Sequence, residues 1–343
     1  MAFWLNSIIE VTAAANAATA TNVQPKRYRF RGVHDVKIIK NIHSFTNTCI
    51  IQIPQSLRLK QAGIPKTNIS NSEDVFTVGS KIVVQLGYNT KYNTEFTGFI
   101  RRVGFGAPCV IECEGYIYQL RHQLQPKEFI NVDYTAVINY LIKDTDIVLS
   151  PFMQGIKIPI TKFSIKNDTG AEALTRFQHE MHDTLSIVFH NNILYVGLTY
   201  LQFENAVKYR LNFNTIKSDE LKLHNSGDTT LKVMVYAKTS DVNKVFGSAG
   251  DNTNVIKKYK TGLITDKNIL DVMATNLVAA KKFTGYEGKI IALGKPFCEH
   301  AWSAEITDKK YPERAGTYYI SGVEITFNTG GFRRMVELEK RIK

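Results

Sequence analysis

Apolar and polar positions alternate with a period of two over long stretches of this 343-residue chain, the pattern of strands with one buried face. In KRYRFRG, Tyr28 and Phe30 alternate with Arg27, Arg29 and Arg31, so aromatics fall on one sheet face and guanidinium groups on the other. TCIIQIP runs into Pro54, a strand end. After a polar loop around Asn68 to Asp74, GSKIVVQLGY and EFTGFIRRV alternate again, and CVIECEGYIY closes the segment. The pattern predicts a small antiparallel barrel or sandwich.

In the middle of the chain the period changes. Asp133 is placed to cap a helix running through Lys143, with Val137, Ile138, Leu141 and Ile142 on one stripe, and Thr169 to cap GAEALTRFQHEM. LSIVF, the turn His190–Asn191–Asn192 and ILYVG predict a hairpin whose asparagines tolerate positive φ. From about Lys208 alternation returns with LKVMVYAK. A Gly/Asn/Ser-rich stretch, GSAGDNTN, is predicted to be a mobile loop. One helix follows, capped by Thr265, with Ile269, Leu270, Met273 and Leu277 inward and Gly285 just past its end. GKIIALG and a final hairpin, GTYYISGVEITF with FRRMVELEKRI, turned by Asn328 to Gly331, complete the chain. The expected fold class is mainly β with an α+β insert, divided at residues 1–120, 121–205 and 206–343.

The two β segments echo each other. TGFIRRV from Thr97 aligns with TYYISGV from Thr317 at an offset of 220, and VIECE from Val110 with MVELE from Met335 at 225, the second turn being longer. Cys113 then matches Leu338, a plain core position. The segments look like copies of one unit split by the insert, and Cys113→Leu is expected to cost below about 1.5 kcal/mol.

Composition adds a charge and removes several function classes. The 43 Lys and Arg exceed the 31 Asp and Glu, giving a net charge of +12, which suits nucleic acid, anionic lipid or an acidic protein surface. The N-terminal MAFWLNSIIEV has the apolar start of a signal peptide but no basic leader. No run approaches the ~18 apolar residues of a membrane span, so no stable membrane insertion is expected.

Candidate chemistry is thin. Cys109 and Cys113 lie four residues apart; on a strand that is about 13 Å, too far for a disulfide or a shared zinc. With Ile111 they read as a core face. In HEMHD, His179 and His182 with Glu180 fall one residue short of the zinc-protease spacing and lack a third ligand. No nucleophile elbow, phosphate loop or dinucleotide fingerprint follows a strand. No enzymatic activity, metal or cofactor is expected. The arginines interleaved with aromatics leave a basic nucleic-acid-binding protein as the alternative function.

These pieces, in their order, resemble the baseplate hub family of contractile phage tails and tail-like injection systems, including phage late control protein D and the hub half of the type VI secretion spike protein. The carriers are TNTCIIQIP, GSKIVVQLGY, EFTGFIRRV with IECEGYIYQL, LYVG, GKIIALGKP and GTYYISGVEITFNTGGFRRMVELEKRI. After GKP the chain has FCEHAW where the family often has a Gly-Asp turn, and it reaches Lys343 without the family's fused β-helical spike. The resemblance implies two tube-type antiparallel β-barrel domains around the insert and a homotrimer forming a pseudo-sixfold ring. It also implies as partners a tail tube protein, a separate spike and other baseplate proteins, with DNA or effector as passing cargo, in a virion or tail-like particle assembled in the bacterial host cytoplasm. Candidate subunit contacts are Arg27, Arg29, Arg31, Glu112, Glu114, Arg333, Arg334, Glu337 and Glu339.

Overall fold

Residues 4–13, 27–55, 57–59, 67–69, 75–104, 106–151, 157–182, 185–198, 205–217, 220–238 and 245–342 are described by a computed structural model; most of the polar loop at 68–74 lies outside them. The chain is mainly β. Fourteen strands form one sheet. Its main path runs Thr215–Lys217, Gly285–Leu293, Gly331–Arg341, Gly316–Asn328, Asp35–Asn41, Thr48–Ile53, Cys109–Glu114, Lys91–Gly104, Lys81–Tyr88, Leu5–Thr12, Arg27–Phe30. The flanking segments are therefore continuous: Gly316–Asn328 pairs antiparallel with Asp35–Asn41, from Gly322 against Asn41 to Asn328 against Asp35.

The repeat read from sequence extends to the hydrogen-bond register. Ile100 faces Cys113, Arg102 faces Glu112 and Val103 faces Ile111, with a register shift between Ile100 and Arg102. In the second copy Ile320 faces Leu338, Gly322 faces Glu337 and Val323 faces Val336, with a shift between Ile320 and Gly322 and a second one, absent from the first copy, between Tyr318 and Ile320. The irregularity falls at Arg101 and at Ser321, equivalent positions of the echo. The next strands also correspond, Thr48–Ile53 standing to Cys113 as Gly285–Leu293 stands to Leu338. The outermost strands do not: Leu5–Thr12 pairs antiparallel with Lys81–Tyr88, whereas Ala206–Arg210 pairs parallel with Ser303–Thr307.

Volume is shared differently in the two copies. Leu338 faces Gly288, but Cys113 faces Cys49, and both cysteines are buried and unbonded. A large residue opposite none has become two medium ones, so the simple equivalence of Cys113 with Leu338 omits its partner. Cys113→Leu alone overfills the site and is expected to cost about 1–3 kcal/mol, with partial recovery in Cys49→Ala/Cys113→Leu. Urea unfolding of both variants checks this.

Among the described residues there are two large hydrophobic cores, with a small third cluster of Ile42, Val188, Ala301 and Tyr319 drawn from all three segments. One gathers residues of both flanking segments, from Ile9 and Val36 to Ile325 and Leu338. The other belongs to the middle segment and takes in part of the third. There α1 (Tyr134–Leu141) begins at Asp133, whose carboxylate accepts from Thr135 N, and α2 (Gly170–Glu180) begins at Thr169 with a full capping box to Glu172. The hairpin Leu185–His190 and Ile193–Leu198 turns at Asn191, φ 53°.

Three local expectations change. The N-terminal LNSIIEVT is a strand, with Ile8, Ile9 and Val11 buried between two neighbours. In α3 (Lys267–Lys281) the cap is Asp266, which accepts from Asn268 N and Ile269 N, while Thr265 hydrogen-bonds Thr161. The stretch expected as a mobile loop overlaps the strand Phe246–Gly250, on which α3 lies. A Cβ at Gly247 would stand 2.2 Å from the Leu270 carbonyl carbon; the small residues seat a helix, and their composition alone could not distinguish that from a loop.

Candidate functional site

The residues that might have formed a catalytic or metal centre are held apart. Cys109 and Cys113 lie on one strand facing the core, and burial keeps both thiols protonated. His179 is exposed at the end of α2, while His182 turns away at φ 52°, meeting the Lys260 carbonyl at 2.6 Å and the Tyr259 ring. Among the described residues no three His, Cys, Asp or Glu side chains are grouped to hold a metal ion.

Polar chemistry concentrates instead where the segments meet. Arg334, on the last strand, donates from Nη2 to Glu95 Oε1 at 2.7 Å, and both side chains are 0% exposed. Arg334 also donates to the carbonyls of Cys298 and Gly294 and packs its guanidinium 5.2 Å from the Phe297 ring centroid. Burial pushes the Glu95 carboxyl up, and Arg334 pulls it back. Glu95 reaches this place because it is the extra residue of a bulge: Phe96 pairs with Val84 and Thr94 with Gln85, leaving Glu95 unpaired and turned inward. Nearby, Tyr88 of the first unit donates to the Phe332 carbonyl of the second.

A second cluster joins all three segments. Lys40 donates from Nζ to both oxygens of Glu299, at 2.6 and 2.8 Å, from the strand that carries the inter-unit pairing. His300 Nδ1 stands 3.6 Å from Glu299, and His190, from the middle hairpin, contacts the His300 carbonyl at 3.2 Å. Although burial opposes it, Lys40 followed by His300 pulls Glu299 down to about 2; burial, with His300 adding to it, takes His190 down to about 4. A cavity of about 230 Å³ adjoins the cluster, lined by Lys40, Asn47, Phe96, Tyr116, Phe297 and Trp302 among others. Glu299 and His300 come from FCEHAW, the loop that departs from the family pattern. The sequence showed FCEHAW only as a loop differing from the pattern it resembles; neither its role in the cluster nor its buried partners could be read from it.

Of the expected contact residues, two point inward. Arg334 is the buried cation above, and Glu114 is 2% exposed and held bidentately by Arg121, at 2.7 Å to each oxygen. Period two gave the signal: Arg334 shares parity with Phe332, Val336 and Leu338, the core face of its strand. Glu337 and Glu339 serve the intramolecular joint, meeting Asn41 at 3.3 Å and His43 at 2.5 Å. Arg27, Arg29, Arg31 and Arg333 are exposed, with Arg29 3.3 Å from Glu10, and Glu112 is half-buried beside Arg102 at 3.7 Å.

The fold has solved counterparts. The 43 kDa tail protein of prophage MuSo2 from Shewanella oneidensis superposes with a TM-score of 0.63 at 11% identity, over 97% of this chain and 98% of that one. The fold is that of phage tail proteins. A tail protein from Neisseria meningitidis MC58 gives 0.64 at 10% identity over 97% and 96%. An E. coli component of the type VI secretion system, described as structurally similar to phage T4 tail proteins, gives 0.54 at 8% over 91% and 74%. No protein-family model and no curated protein matches by sequence. No helix among the described residues is long and apolar enough to cross a membrane.

Proposed function

We propose that this chain is a structural hub of a contractile tail or tail-like injection particle. Three copies form a pseudo-sixfold ring that joins the tail tube to a separate spike and lines the central channel. One observation carries the reading: the strand–bulge–strand unit occurs twice in the chain with the same register. Three such chains offer six similar walls to a hexameric tube and keep true threefold symmetry for a spike. In this reading residues 1–120 and 206–343 each supply a tube-type barrel wall around the 121–205 insert, which borrows α3 and the strands before it for its core. The tail-protein neighbours support a non-catalytic role in a virion or tail-like particle, with tube, spike and baseplate proteins as partners and DNA or effector as cargo.

The test is the copy number in the assembled particle, imaged directly, with the molar mass of the purified chain beside it. A ring of three chains is expected; two or six chains per ring overturn the proposal.

A further inference from the structure

The joint between the two units inside one chain is a template for a joint between chains. Inside the chain, the second unit offers the strand segment beyond its bulge, Gly322 to Asn328, and the first unit docks Asp35–Asn41 on it. Each piece has a counterpart in the other unit, and of these Arg102–Gly104 and Lys222–His224 pair with no second strand among the described residues. The counterpart of Gly322–Val323–Glu324 is Arg102–Val103–Gly104, bonded on one side to Glu112, Ile111 and Val110. The counterpart of Asp35–Asn41 is the edge formed by Thr215–Lys217 and Lys222–His224. Asp35 and Ile39 pair with Gln52 and Thr48, and Lys217 and Lys222 pair with Ile291 and Glu287, the matching residues of the equivalent strand. The edge carries one residue more between these points than Asp35–Asn41 does, and Leu221, buried like Ile38, fills the corresponding core place.

We infer that Lys222–His224 of one copy adds as an antiparallel strand to Arg102–Gly104 of the next. The register transfers from the internal joint: Arg102 opposite His224, Val103 opposite Leu223, Gly104 opposite Lys222. The partner is thus a second copy of this chain. Three observations support this occupant. The edge presents large apolar side chains to solvent, Leu223 at 64% and Ile216 at 53% exposed, which a free sheet edge ordinarily avoids. The two counterparts are complementary and occur once each per chain, so the contact is heterologous and propagates from copy to copy. Glu112, counterpart of Glu337, comes to lie by His224 as Glu337 lies by Asn41. The inference rests on the ring reading above for the number of copies, but the edges and register come from this chain alone.

The experiment uses the full-length chain carrying Val103→Cys and Leu223→Cys, oxidised at high protein concentration and in assembled particles. Directly opposed strand residues have Cβ atoms about 4.5–5.5 Å apart, and the native cysteines are buried. The expected result is inter-chain disulfide in a ladder ending at the covalent trimer, absent from either single variant and at least tenfold weaker in Val103→Cys/Ile216→Cys. Leu223→Glu, on an exposed side chain, is expected to keep the thermal midpoint of the parent and lose association. No inter-chain disulfide, or equal yield in the offset pair, overturns the edge assignment. If rings of three are nonetheless imaged, the hub reading survives without it; if they are not, both fall.

Discussion

Replacing Arg334 with Met is expected to destabilise the fold by about 3–5 kcal/mol, the cost of leaving a buried charge unpaired. Glu95 would lose the cation that hydrogen-bonds it, in a place with no solvent access. Two carbonyls, of Cys298 and Gly294, would lose a donor as well. The pair crosses from one unit to the other, so the loss should appear as a single lowered transition for the whole chain. Glu95→Leu/Arg334→Met should recover most of the loss, because a buried pair replaced by apolar groups of similar volume is often neutral or better. Denaturant midpoints of parent, single and double variants form the check. A single variant within about 1 kcal/mol of the parent would mean the seam does not hold the units together.

Acid should open the second cluster. His190, with its pKa held at about 4, is neutral in the fold near pH 7 and takes a proton more readily once unfolded. Its contribution is therefore complete above about pH 6.5 and is lost as pH falls towards 4, amounting to roughly 3 kcal/mol. His300, lowered chiefly by its burial, acts in the same direction. Glu299, held at about 2, contributes fully above about pH 4.5, and that share disappears only through pH 2. Between pH 6.5 and 4.5 the two histidines lower stability as pH falls, with Lys40 and Glu299 as the charges facing them, while the raised Glu95 acts in the opposite direction. Unfolding free energy measured across that window should fall with acidification, and His190→Gln should flatten the curve. A parent curve already flat there would remove the histidines from the account.

Much of this fold was legible because strands and caps obey local rules. Asp133 and Thr169 cap where the change of period placed them, and the echo of Thr97–Val103 with Thr317–Val323 carried through to a shared bulge. What escaped depends on residues far apart in sequence. Glu95 looks like a surface residue until a bulge turns it; Cys49 opposes Cys113 only after two strands pair. Arg334 is legible by parity, but its charge argues for the surface against what period two requires. Of the candidate site, the FCEHAW loop was visible as a departure from a pattern, but its partners Lys40 and His190 come from other segments.

The seam also bears on how the chain is made. Lys40 and Glu95 leave the ribosome early, while Glu299 and Arg334 follow 259 and 239 residues later. Until then the nascent first unit carries charges intended for an interior and has no counter-ions for them. Its folding is incomplete while synthesis continues, and such long-range contacts form slowly. Translation therefore sets a checkpoint: a product that stops short of the last strand lacks the Arg334 that pairs with Glu95, and only finished chains can close the seam.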